Sequence, residues 1–240
     1  MSETIPQLIR PSTVLPARRS AIQLHTSDGL TLVGEVASPI GDRTATLVTF
    51  HPNPSGGGMM DSHVYKKAAN RLPHLAGIEV LRFNTRGTSS EAGTSEGAYD
   101  EGVSEIHDVQ AAIDYAFNEL HGENVWVVGW SFGTNLAISH ARDPRIKGLI
   151  LLSPTMKWSS QEDLDFWKVD GRPIYAFIPE FDEYMNPAQA HERFHTFPNI
   201  HQVDVAGAKH LWVGEPMVYR ILSEIVGIVA PQRLPLPEEV

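Results

Sequence analysis

Cysteine is absent from all 240 residues. That excludes a disulfide framework, a thiolate nucleophile and any cysteine-ligated zinc. Long apolar runs are missing too, none approaching the roughly 20 residues that a membrane-spanning helix requires. Residues 1–19 hold Pro6, Pro11 and Pro16 and no apolar h-region, so no secretory signal is expected. Positive charge is scarce, with 19 Lys and Arg against 29 Asp and Glu for a net charge of −10. Nucleic acid and anionic membrane surfaces both ask for a basic face. Neither is the expected partner, and a cytoplasmic protein is.

What remains suffices for one sizeable core: 240 residues, 42% of them hydrophobic, fit a single domain. We expect a leader over 1–20, one domain over 21–230 and a loosely ordered Pro- and Glu-rich tail over 231–240. Two alternating runs, 21–25 and 30–37, flank Asp28-Gly29, a hairpin signal. Later runs at 45–51, 78–83, 124–128, 146–152, 174–178 and 200–205 are continuously apolar, the mark of parallel strands covered on both faces. Helical spacing appears at 62–75, 101–120, 134–141, 187–194 and 215–229. In 101–120, Val103, Ile106, Val109, Ile113, Tyr115, Ala116 and Leu120 fall near one face. The order predicts an α/β fold, a mostly parallel sheet of about eight strands with helices on both faces. Between Ser153 and Pro173 there is room for one short helix and no large lid.

The most informative motif is Gly129-Trp130-Ser131-Phe132-Gly133, a G-x-S-x-G set between a strand pattern and a helix pattern. Glycines at both ends permit the sharp turn that lifts the Ser131 hydroxyl out of the sheet. Serine needs a base, and the base an orienting acid. A strand–serine–helix elbow takes them, acid first, from loops past later strands. Asp182 stands just beyond the strand at 174–178, with Glu180 and Glu183 as competitors, and His210 follows the strand at 200–205. For the oxyanion hole the backbone N–H groups of Phe132 and Asn53 are the candidates, since Pro52 and Pro54 lack one. Trp130, Trp158 and Trp212 are candidate walls of an acyl pocket. His51 reads as a loop brace. Arg86 reads as a brace or as a partner for an anionic substrate group.

These residues resemble the α/β-hydrolase superfamily, in its small, lid-poor bacterial branch. The branch has a His-Pro-x-Pro-x-x-Gly-Gly loop, here His51-Pro52-Asn53-Pro54-Ser55-Gly56-Gly57, and a later Arg-Phe-Asn-x-Arg-Gly stretch, here Arg82 to Gly87. Asn53 departs from a histidine common at its place, and 88–100 is long and Ser/Glu/Gly-rich. The resemblance covers about residues 20–230. It implies a serine hydrolase acting on a small-molecule ester, thioester or related acyl compound, without metal or organic cofactor.

Two alternatives stand beside it. His191-Glu192-Arg193-Phe194-His195 matches the H-E-x-x-H zinc-peptidase motif, and His201 sits at the spacing of a third ligand. Against this, Pro198 stands where that motif needs a glycine turn, because proline cannot take positive φ. The other alternative is a non-catalytic relative that binds a ligand or partner. Oligomeric state is not readable from the sequence.

Overall fold

The computed structural model describes residues 7–240; the first six residues of the expected leader lie outside them. In chain order the elements are β1 (Arg18–His25), β2 (Thr31–Ser38), β3 (Ala45–Phe50), α1 (His63–Ala76) and β4 (Ile78–Phe83). A small hairpin follows, β5 (Ser89–Ser90) with β6 (Gly93–Thr94). Then come α2 (Ile106–Asn118), β7 (Val125–Trp130), α3 (Phe132–His140), β8 (Leu149–Leu152) and α4 (Gln161–Asp170). The chain closes with β9 (Ile174–Phe181), α5 (Pro187–Phe194), β10 (Ile200–Lys209) and α6 (Glu215–Val229).

Eight strands form one sheet in the order β1-β2-β4-β3-β7-β8-β9-β10. The β1–β2 and β2–β4 pairs are antiparallel and the rest parallel. The turn between β1 and β2 uses Gly29 at φ 92° and closes with Thr26 N–H donating to Leu30 C=O at 2.9 Å. Every residue of β3, β4, β7 and β8 is buried, which is why those strands lack alternation. One face is covered by α2 to α5 through Val109, Ile113, Leu136, Trp167 and Phe194. On the other, α1 and α6 pack Val64, Leu72, Ile221 and Ile225 against the sheet. This is the α/β-hydrolase fold.

Three segments differ from expectation. Helix α2 begins at Ile106, five residues later than its pattern, because Glu105 accepts the N–H groups of Asp100 and Gly102 and holds a turn there. Val103 and Ile106 are consequently exposed. The 88–100 stretch folds back as the β5–β6 hairpin, and Glu96 N–H donates to Thr31 C=O. The 231–240 end is not loose: Leu236 is buried, Tyr219 donates to its carbonyl at 2.7 Å, and Glu239 bridges Leu8.

Candidate active site

Strand β7 lies inside the sheet, and its last residue, Trp130, delivers Ser131 directly into α3. Ser131 takes φ 54° and ψ −115°, a conformation that costs a non-glycine residue of order 1–3 kcal/mol. Its surroundings hold it there. Ser131 N–H donates to Leu152 C=O at 2.9 Å, and its carbonyl accepts from Thr134 N–H and hydroxyl. A Cβ on Gly133 would overlap the Phe50 carbonyl oxygen, and one on Gly129 the Gly133 carbonyl. Both glycines thus serve the close crossing of helix over sheet.

Asp182 and His210 leave neighbouring parallel strands. Along most of the β9–β10 ladder Ile200 faces Ile174 and Val205 faces Pro179, but a register shift then sets Lys209 opposite Phe181. This bulge takes up two extra residues of β10, around Gly207 at φ 72°. Glu180, a rival for the acid's place, accepts the Gly207 N–H at 2.7 Å and pins the bulge. Glu183 is exposed. The next residues along, Asp182 and His210, emerge side by side.

The three candidate side chains form one line. His210 Nε2 lies 2.8 Å from Ser131 Oγ, and His210 Nδ1 lies 2.8 Å from Asp182 Oδ2. The other carboxylate oxygen accepts from Tyr184 N–H at 2.8 Å. A carboxylate oxygen accepts, so the arrangement suits a ring proton on Nδ1, which leaves Nε2 to accept from the serine. All three residues are buried, with 5–8% exposure. The His210 carbonyl accepts from Trp130 Nε1 at 3.1 Å and Ser153 Oγ at 2.9 Å, and the Tyr184 ring lies 4.6 Å from the imidazole. Ser153 and Tyr184 carry no sequence signal of their own; they matter because β8 and β9 end beside the histidine loop.

Asn53 opens a tight turn in which its side chain accepts Ser55 N–H and its carbonyl accepts Gly58 N–H. Among the described residues, neither Asn53 N–H nor Phe132 N–H donates to another protein group. His51 braces this turn. It is fully enclosed, with Nδ1 donating to Pro52 C=O at 2.7 Å and Nε2 accepting Thr85 N–H at 3.0 Å. Burial drives its pKa down to about 4, so the ring is neutral. Arg86 is buried and committed to Asp108 and Asp28. It is a brace.

The tryptophans divide. Trp130, almost wholly buried, packs edge-on against His63 at 5.3 Å and still contributes to a cavity wall. Trp158 is half-buried, edge-on to Phe132 at 5.3 Å. Trp212, expected at the pocket, is instead core: φ 52° turns it inward and leaves it 0% exposed. A cavity of about 430 Å³ is lined by Gly56–Gly58, His63, Trp130, Leu211 and Val213, and by none of Ser131, Asp182 and His210. Another, about 410 Å³ between β1 and α2, is remote from these side chains.

The H-E-x-x-H motif spans the last turn of α5 and its C-cap, His195. His191 and His195 have rings 6.0 Å apart, while His201 stacks on Tyr175 from β10. Among the described residues no three His, Cys, Asp or Glu side chains converge as a metal site. No helix of the described residues is long and apolar enough to cross a membrane.

A profile of the family described as serine aminopeptidase, S33, matches residues 43–228. An uncharacterized protein of Rickettsia prowazekii, RP471, is 30% identical over 151 residues, covering 62% of this chain and 60% of its own length. An α/β serine hydrolase homologue from Coxiella burnetii superposes with a TM-score of 0.74 at 23% identity, over 88% of this chain and 97% of that one. XC6422 from Xanthomonas campestris, described as an α/β serine hydrolase without a lid, superposes with a TM-score of 0.71 at 23% identity, over 94% and 100%. With more than half of its length matched by the profile and its sheet arranged as in these serine hydrolases, the chain belongs to the serine aminopeptidase S33 family of hydrolases.

Proposed function

We propose that this protein is a serine hydrolase that cleaves an ester or related acyl bond, with Ser131 as nucleophile, His210 as base and Asp182 as orienting acid. The observation that carries this reading is the unbroken pair of 2.8 Å hydrogen bonds running from Ser131 Oγ through the imidazole to Asp182.

The chemistry follows from that line. Ser131 Oγ bonds to the acyl carbon while His210 Nε2 takes the hydroxyl proton. The carbonyl electrons move onto oxygen, and Asn53 and Phe132 N–H are the donors that stabilise the charge. When the intermediate collapses, the alcohol or thiol leaves with the proton from His210. Water then attacks the acyl-serine, giving its proton to His210; as that intermediate collapses the bond from the acyl carbon to Ser131 Oγ breaks, His210 returns the proton to Oγ, and a carboxylic acid departs. Every proton acceptor in this sequence is a side chain or the substrate itself, so the reaction asks for no metal or organic cofactor.

The family description also raises an aminopeptidase reading. Such an enzyme must hold its substrate's free ammonium, and among the described residues the only carboxylate bonded to the three aligned side chains is Asp182, which already accepts from His210 and from Tyr184 N–H. That favours the acyl-ester reading. The test is an active-site-directed fluorophosphonate together with an ester panel. Wild type is labelled on Ser131 and turns over short-chain esters; Ser131→Ala does neither. Labelling that persists in Ser131→Ala rejects the assignment.

A further inference from the structure

Hydrogen bonds fix the edge and the backbone of the proposed base. Ser131 Oγ meets His210 Nε2, Asp182 Oδ2 meets Nδ1, and Trp130 and Ser153 donate to the His210 carbonyl. They leave the faces of the imidazole to packing. There Tyr184 brings its ring to 4.6 Å between centroids, tilted by 50°, inside the range at which aromatic rings attract.

The placement of that ring follows from the turn that carries the acid. Asp182 Oδ1 accepts from Tyr184 N–H at 2.8 Å and from Met185 N–H at 3.4 Å, an aspartate bonding its own backbone two and three residues on. Met185 turns inward and is buried, whereas Tyr184 stays 58% exposed. A tyrosine so open adds little to the core. What its ring does touch is an imidazole that changes charge during the reaction. Each time Ser131 or water gives up a proton, His210 becomes an imidazolium. Asp182 balances that charge at the Nδ1 edge, and an aromatic ring within about 6 Å attracts a cation as well. The neutral imidazole gains less from the same ring, so the contact strengthens as the transition state is approached.

Resting on the hydrolase reading above, we infer that Tyr184 is a positioning residue, whose aromatic ring keeps the imidazole in line between Ser131 and Asp182 and stabilises the imidazolium formed at each proton transfer. The protons move as already described, from Ser131 Oγ or water to His210 Nε2 and back; the Tyr184 hydroxyl neither gives nor takes one. The ring matters and the phenol does not. Phenylalanine therefore suffices at this position and leucine does not, although both keep the backbone N–H that Asp182 accepts.

The experiment measures kcat and KM of wild type, Tyr184→Phe and Tyr184→Leu on p-nitrophenyl acetate and p-nitrophenyl butyrate. Fluorophosphonate titration of Ser131, run to completion, counts competent enzyme in every sample, so a variant that merely folds poorly loses sites and not turnover per site. Tyr184→Leu should lower kcat per site by about threefold to tenfold on both esters. KM should stay within about twofold, as for an interaction made only in the transition state. Tyr184→Phe should keep kcat within about twofold of wild type. A kcat in Tyr184→Leu within about twofold of wild type overturns the inference. So does a loss confined to KM, which would make the ring a substrate contact, and so does Tyr184→Phe as impaired as Tyr184→Leu, which would give the role to the hydroxyl. All three leave the hydrolase reading standing. Failure of wild type to label on Ser131 or to turn over any ester brings down the hydrolase reading, and the role of Tyr184 with it.

Discussion

Lys209 pairs with Phe181 two residues out of the register that Val205 and Pro179 set on the same two strands. In the earlier register Ala208, with no proton to move, would neighbour Asp182. The bulge instead presents His210, and 2.8 Å separates Nδ1 from Oδ2. The geometry of the proposed site thus depends on a local irregularity at the end of β10.

Gly207 is where that irregularity can be tested. Its φ of 72° lies in the left-handed region, and its N–H is held by Glu180. Gly207→Val forces a β-branched residue into that conformation, at a cost of about 1–3 kcal/mol. We expect a lower urea midpoint and a kcat reduced by about tenfold, since the strain is relieved by moving His210. Unchanged kcat would show that the bulge does not set the histidine's position.

Asp182→Asn preserves size and still offers an oxygen to Tyr184 N–H. It removes the acceptor that keeps the ring proton on Nδ1, so Nε2 no longer accepts from Ser131. Ester turnover should fall by about a thousandfold or more, with the urea midpoint little changed. A reduction under tenfold excludes Asp182 as the orienting acid.

His51 carries a pH dependence of stability. Its folded pKa is about 4 because burial disfavours the cation, against about 6.5 in an unfolded chain. Between those values the unfolded state binds the extra proton, so stability falls as pH drops through this window. The contribution is complete above pH 6.5 and amounts to about 3 kcal/mol. His51→Leu leaves Thr85 N–H without its acceptor, costing about 1–3 kcal/mol at pH 7. Urea titrations at pH 4 to 7 should show the variant's curve flatter and approaching wild type at the acid end. Parallel curves exclude His51 as the source.

The zinc motif is open to an equally direct measurement. His191 lies on α5 and His195 caps its C-terminus, with no third ligand among the described residues. The double variant His191→Ala, His195→Ala should hydrolyse esters as wild type does, and neither protein should hold stoichiometric zinc by metal analysis. Zinc bound by wild type and lost with activity in the variant revives the metallopeptidase.

The sequence determined the strand and helix order, because a buried parallel strand must be apolar on both faces and a covering helix on one. It also marked the elbow at Ser131 by the glycines that the helix crossing demands, and it pointed to Asp182 and His210 by their place after β9 and β10. Tertiary packing decided the rest. Trp130 and Trp212 look alike in sequence and both are buried in the core, yet only Trp130 reaches a cavity wall. The β10 bulge and the pairing of the 231–240 end with Leu8 arise from hydrogen bonds between residues distant in the chain, and the Glu105 turn that shortens α2 from local side-chain bonds that periodicity does not register. Periodicity records which face of an element is buried; it cannot record how two elements slide past each other or which backbone groups they satisfy.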